Sequence, residues 1–462
     1  MYQKERHHKK GISVPGQSRE LRLAQDFHPV SLLKFVTPSI VMMLFMGFYT
    51  IGDTAMVSRF IHTNALSAVN IVCPVINLIV GLGTMIATGG SAIIARKMGS
   101  GNEKEACRNL TLLILTGIFL GILIAAVGIF FLDDIILGLG ASPVLYPYCK
   151  DYLFLLLIFT PASMLQVLFQ TLIITAGHPG YGMLLSVSAG LMNLLLDYLF
   201  MVPLNMGIAG SALGTGIGYL LPTLFGLAFF IRSKGTLRFR KPLLDFRVIL
   251  ESCLNGSSEM VSQAAAAVTT FLFNLVMMKR LGENGVAAIT IIIYTQFLLT
   301  TLYIGFSMGA APIISYNYGS GNHAQLRKVF RLCLAFLGIA SVLLFLLSIT
   351  CSSALVGIFC PEDSAVYQIA LDGFSIFSFS FLLCGFNIFT SAAFTALSNG
   401  KISALLSFLR TFGFITAGLA FLPHFLGIPG VWLAVPLAEA VTMVIALIFL
   451  SKEKAFLLFT SE

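Results

Sequence analysis

Asp197 follows Asn193 by one helical turn in the apolar run AGLMNLLLDYLFM, so a carboxyl and an amide share one helix face. Held at low dielectric, such a pair can take a proton near neutral pH or offer oxygens to a hard cation such as Na⁺. Asp53 interrupts a second apolar run, FMGFYTIGDTAMV. Thr215 interrupts a third, GSALGTGIGY, where small residues permit close helix packing. Further charges stand inside such runs at Glu259, Arg410 and Glu439. Ionisable groups are expensive at membrane depth, and each is by default a candidate for function. Asp53, Asn193, Asp197 and Thr215 are therefore candidate functional residues, with Asn193 and Asp197 the pair placed to hold a proton or a cation; no cofactor and no other metal is expected. Glu259, near a span end, and Asn387 are candidate polar contacts of the second half. Arg410 is expected to reach the end of its span near Lys401.

Long helices must carry these groups. Of the 462 residues 57% are hydrophobic and 10% charged, where soluble domains average about 25% charged. The apolar residues come in runs near the roughly 20 residues a helix needs to cross the hydrocarbon core. They lack the period-2 alternation of barrel strands. The runs predict an all-α integral membrane protein of twelve spans. These cover about 33–58, 68–95, 109–132, 147–174, 181–202 and 208–231, then 252–278, 287–315, 329–357, 367–396, 402–423 and 429–450. Pro38, early in the first span, is either a first-turn proline or a hinge, since proline removes a backbone hydrogen bond.

The chain repeats itself at an offset of 220 residues. Gly99-Ser100-Gly101-Asn102 recurs as Gly319-Ser320-Gly321-Asn322, Gly89, Ile93 and Ile94 as Gly309, Ile313 and Ile314, and Pro203, Gly207 and Gly210 as Pro423, Gly427 and Gly430. Six spans per copy is an even number, so the halves are parallel repeats, an arrangement that places a transporter's substrate site between them. The expected organisation is a disordered tail (1–30), an N-lobe (31–231), a linker (232–249), a C-lobe (250–451) and a short tail (452–462). At the 220 offset Asp53, Asn193, Asp197 and Thr215 face Phe273, Gly413, Ala417 and Val435. The scaffold folds without those polar groups in its second copy, which argues against a purely structural role for them.

Lys and Arg gather in the segments after even-numbered spans, among them Arg96, Lys97, Arg232, Arg238, Arg240, Arg327 and Lys328, whereas Asp133, Asp134, Glu362 and Asp363 lie on the other side, with Arg59, Lys279 and Arg280 as exceptions there. By the positive-inside bias both termini face the cytoplasm. The formal charge of +8 is spread over these segments, so no nucleic-acid partner is expected. The eight cysteines form no CxxC pair, and the polar N-terminus lacks the apolar stretch and cleavage site of a signal peptide. No HExxH motif lies at membrane depth, which argues against an enzyme.

The stretch TIGDTAMVSRFIHTNALSAVNIVCPVINLIVGLGTMIATGGSAIIARKMGSGN, together with NLLLDYLFMVPLNMGIAGSALGTGIG, resembles the multidrug and toxic compound extrusion (MATE) family, in its MepA-like and DinF-like branch. The resemblance runs from about Lys34 to Lys454. It implies two pseudo-symmetric six-helix bundles in a V shape and a monomer in the cytoplasmic membrane. It also implies export of small organic compounds, mostly lipophilic cations, by antiport with H⁺ or Na⁺. The family's N-lobe cation cluster maps onto Asp53, Asn193, Asp197 and Thr215, and its bendable first-helix proline onto Pro38. Another branch carries acidic residues in helices seven and ten, where this sequence has Ala267 and Asn387, so a C-lobe cation site of that type is not expected. The alternative within the same superfamily is a flippase of a lipid-linked or other amphipathic substrate. Such a protein would carry more basic residues in its cavity.

Overall fold

The computed structural model describes residues 22–452 except 62 and 234. Everything described is helix or short connection, as expected for a chain whose backbone polar groups find no water in lipid and must pair within each segment. The first half comprises α1 (Pro29–Phe60), α2 (Thr63–Gly99), α3 (Glu103–Phe130), α4 (Leu132–Gly138), α5 (Tyr146–Ile158), α6 (Thr160–Thr175), α7 (Pro179–Met201) and α8 (Gly207–Arg232). The second comprises α9 (Phe246–Asn255), α10 (Ser257–Gly319), α11 (His323–Thr350), α12 (Ser352–Gly357), α13 (Ala365–Phe377), α14 (Phe381–Ala396), α15 (Gly400–Phe408), α16 (Phe414–Leu426) and α17 (Ile428–Lys452).

Ten of these helices or helix runs are long and apolar enough to cross a membrane, and the pair α5–α6, bent by 53°, makes an eleventh. The bend falls where Pro161 follows Phe159, which removes a backbone donor at the break. The 63-residue α10 would measure about 95 Å if straight, three times the hydrocarbon thickness. It breaks at Gly282, whose φ of 63° is open chiefly to glycine, and its two segments, taken as the seventh and eighth crossings, make twelve among the described residues. Two other spans are irregular. A 3₁₀ turn (Ser378–Ser380) joins α13 to α14, and a π turn (Leu409–Gly413) joins α15 to α16.

The halves meet along α1 and α2 of one and α10 of the other. At the end of the bundle that carries the linker, Gly99 lies against the Tyr316 carbonyl and Gly319 against that of Arg96. The two glycines are repeat counterparts, so the contact is the same one made twice about the internal two-fold. Any side chain at either position would push the backbones apart.

Two expected boundaries move. The N-terminal tail is packed from residue 22 onward: Leu23 and Phe27 are fully buried, and Lys328 Nζ of α11 binds Asp26 Oδ1 at 2.8 Å. Only residues 1–21 of that tail, and 453–462 of the other, lie outside the described residues. The linker shortens, because α8 runs to Arg232 and α9 already begins at Phe246, where Asp245 caps it by accepting from the Arg247 N–H at 3.0 Å.

Candidate functional site

The site is built by three helices of the first half. Gly190 of α7 admits the Phe45 ring, with Tyr49 beside it, and this draws α1 onto α7. Gly214 of α8 lies directly against Asp197 Oδ1, and Gly218, one turn on, against the Asn193 Cβ, which draws α8 onto the other flank. Asn193 and Asp197 are thereby sealed between neighbours, with Asp197 fully buried.

The polar groups hold one another. Asn193 Nδ2 donates to Thr215 Oγ1 at 3.2 Å and, more weakly, to Asp197 Oδ1 at 3.5 Å. The Asp53 and Asp197 carboxyls come within hydrogen-bonding reach of each other. Three buried acceptor oxygens, Asp53 Oδ1, Asn193 Oδ1 and Asp197 Oδ2, have no protein donor. Buried acceptors are rarely left so. A cluster of such oxygens, with two carboxylates that repel when both are charged, suits a cation. One proton shared between the carboxyls removes the repulsion, and a Na⁺ ion would be met by carboxylate, amide and hydroxyl oxygens, the donor type that hard cations prefer.

All four residues of the expected coupling set therefore stand together, although Asp53 comes from a helix more than a hundred residues away from the others. Their repeat counterparts form no such group: Phe273 and Val435 are buried apolar core. Pro38 lies inside α1, which continues unbroken through it. The next two residues, Ser39 and Ile40, are in close backbone contact with Gly305 of α10.

The expected second-half contacts, Glu259 and Asn387, belong to a separate cluster. Asn387 Nδ2 donates to Glu439 Oε2 at 2.6 Å and to the Glu439 carbonyl at 2.9 Å, and Glu259 of α10 lies within electrostatic range of Arg410. The expectation for Arg410 is overturned. It does not reach for the span end near Lys401. Its guanidinium turns inward from the π turn, about 15 Å along the helix from Gly400, and binds Glu439 Oε1 at 3.3 Å.

Sequence reasoning missed part of the first site. The phenols of Tyr49, Tyr152 and Tyr219 lie within electrostatic range of both Asp53 and Asp197. Two of them carried a signal: Tyr49 precedes Asp53 by one turn and Tyr219 follows Thr215 by one turn, so each shares a helix face with a site residue. Tyr152, on α5, carried none, because only the tertiary fold brings it near. Gly214 was visible merely as one of many small residues on α8.

Comparison with known proteins agrees with this architecture. Residues 38–199 and 260–421, one stretch in each half, match the MatE family. The multidrug export proteins MepA of Staphylococcus saprophyticus and of Staphylococcus aureus (strain bovine RF122) are 21% and 22% identical, each alignment covering 90% of this chain and 92% of the relative. Among solved structures, an outward-facing multidrug resistance MATE family transporter of the MOP superfamily superposes with a TM-score of 0.89. It is 20% identical, over 96% of this chain and 99% of that one. A MOP superfamily transporter from Pyrococcus furiosus, described as having a binding pocket of reverse polarity, superposes with a TM-score of 0.87. It is 21% identical, over 95% of this chain and 98% of that one. With both halves of the chain matched and the fold shared almost from end to end, this multi-pass membrane protein belongs to the MatE family of secondary transporters.

Proposed function

We propose that the chain exports small organic compounds, mostly lipophilic cations, by antiport with H⁺ or Na⁺ through alternating access. The observation that carries this reading is the cluster of donorless buried oxygens on Asp53, Asn193 and Asp197. In the outward-open state a proton or Na⁺ is held by Asp197 and Asp53 and reduces their combined negative charge. In the inward-open state the coupling ion leaves, and the exposed negative charge attracts a cationic substrate. Ion and substrate thus compete for one buried charge, so each turn of the cycle exchanges them. Loading of the carboxyls bends α1 near Pro38, where proline already lacks the backbone bond to Lys34, and the pocket shrinks around the departing substrate.

The protein works as a monomer in the cytoplasmic membrane. Its linker and both termini lie on the cytoplasmic side, supported by the Lys and Arg bias of the even-numbered connections. The relatives named multidrug export proteins support the substrate class. The test is efflux of a fluorescent lipophilic cation from inverted vesicles under an imposed pH gradient and, separately, a Na⁺ gradient. Transport driven by one gradient, and lost in Asp197→Asn, is the expected result. Absence of gradient-driven transport for every cation tried would overturn the reading in favour of a flippase.

A further inference from the structure

The second half buries a charged cluster that the antiport site does not use. Glu439 of α17, 4% exposed, accepts from Asn387 on one oxygen and from Arg410 on the other. Its better bond, at 2.6 Å, is the one to Asn387. Arg410 engages Glu439 through Nη1 alone, at 3.3 Å, and keeps 20% of its side chain accessible. Its other guanidinium N–H groups have no acceptor among the described residues, although they are strong, geometrically fixed donors. Glu259, half-buried on the first turn of α10, faces this guanidinium without an ion pair of its own. The chain makes a dedicated π turn at Leu409–Gly413 to place Arg410, an irregularity that recurs at functional sites.

The repeat shows that none of this is required by the scaffold. At the 220 offset Arg410 corresponds to Gly190, Glu439 to Tyr219, Asn387 to Val167 and Glu259 to Ser39. Gly190 and Tyr219 belong to the very helices, α7 and α8, that carry the acidic site of the first half. The first lobe thus places its carboxyls on α1 and α7, whereas the second places an arginine with free donors and a carboxylate on its last two spans.

The charges of Glu259, Arg410 and Glu439 sum to −1. A lone anion is repelled by that sum, and a lone cation meets Arg410. A molecule carrying both signs satisfies both free groups. We propose that Arg410 and Glu259 form a second substrate subsite, selective for amphoteric compounds, with the carboxylate on Arg410 and the cationic part toward Glu259. This deepens the export reading and rests on it for the direction of transport, but binding at the subsite does not.

The experiment uses two dyes that differ by one ester. Rhodamine B bears a free carboxylate and is zwitterionic at neutral pH, and its ethyl ester is a cation of nearly the same shape. Affinities for the purified full-length chain are read by fluorescence polarisation for the wild type, Arg410→Gln, and the double variant Arg410→Gln/Glu439→Gln. The double variant removes the buried Glu439 carboxylate together with its ion-pair partner, so it keeps the test open if the single one misfolds. The ratio of zwitterion to ester affinity is expected to fall by about tenfold or more in either variant, the worth of one charge-assisted hydrogen bond. An unchanged ratio, whether both affinities hold or both drop together, overturns the proposal. Failure of the wild type to move either dye in vesicles would overturn the export reading instead, leaving the binding ratio to judge the subsite.

Discussion

Gly214→Ala is the smallest change that should uncouple the transporter. A Cβ at this position would overlap Asp197 Oδ1 and sit 3.0 Å from the Asp197 backbone nitrogen and 3.1 Å from its Cγ. To regain ordinary van der Waals separation, about 3.5 Å, either α8 must retreat or the carboxyl must rotate, by roughly an ångström in both cases. Overpacking of this kind costs about 1–3 kcal/mol. If that falls on the geometry that binds the coupling ion, apparent ion affinity weakens by roughly 5- to 140-fold. Gly216→Ala is the control. Its Cβ would collide with the Phe159 ring at the break between α5 and α6, away from the carboxyls, so it should lower thermal stability while leaving ion dependence intact. Gly218→Ala, whose Cβ would lie 3.1 Å from the Asn193 Cβ, should fall between the two. The assay is efflux in proteoliposomes as a function of the coupling-ion gradient, alongside a thermal-shift measurement. Normal ion activation in Gly214→Ala, or an equal loss in Gly216→Ala, would refute the reasoning.

Other outcomes follow from contacts at the linker end. The Lys328 ammonium beside Asp26 holds that carboxyl below the usual aspartate value, and the His28 ring and Gln325 act in the same direction. A lowered carboxyl contributes stability above its unfolded value and loses it as pH falls through the folded one. Protease protection of residues 22–28 should therefore fade as pH drops below about 4. In Lys328→Met it should already be reduced at neutral pH; equal protection in both proteins at every pH would remove the clamp from the account. Gly319→Ala forces α10 away from the Arg96 carbonyl. A cysteine placed at buried Met98 in a cysteine-free background should then react faster with a water-soluble maleimide, and an unchanged rate would show that this crossing does not seal the end.

Much of this was readable from the chain itself, for physical reasons that also explain the gaps. Span positions follow from the length of apolar runs, and the internal two-fold from a fixed offset, because both are one-dimensional properties. Asn193 and Asp197 could be paired because helical spacing places them on one face. The meeting of Asp53 with Asp197 could only be guessed until the fold joined α1 to α7. Arg410 shows the limit most clearly. A basic residue in an apolar span ordinarily snorkels to the nearest interface, but a π turn and a carboxylate from α17 hold it at depth, and neither is visible in the local sequence. The apolar runs end at 278 and resume at 287, whereas in the structure helix runs up to Gly282 from both sides and one positive-φ glycine makes the break. The packed segment 22–28 escaped notice because two buried residues, Leu23 and Phe27, are too sparse a pattern to mark an ordered strap.

The central claim is that coupling ion and substrate compete for the charge on Asp53 and Asp197. The most direct measurement is the affinity of the purified protein for a fluorescent lipophilic cation, titrated across pH and, at fixed pH, across Na⁺ concentration, for the wild type, Asp197→Asn and Asp53→Asn. The account predicts that wild-type affinity falls as one of the two ions rises, and that this dependence vanishes in Asp197→Asn and weakens in Asp53→Asn. Wild-type affinity independent of both ions, or the same dependence in all three proteins, would contradict it.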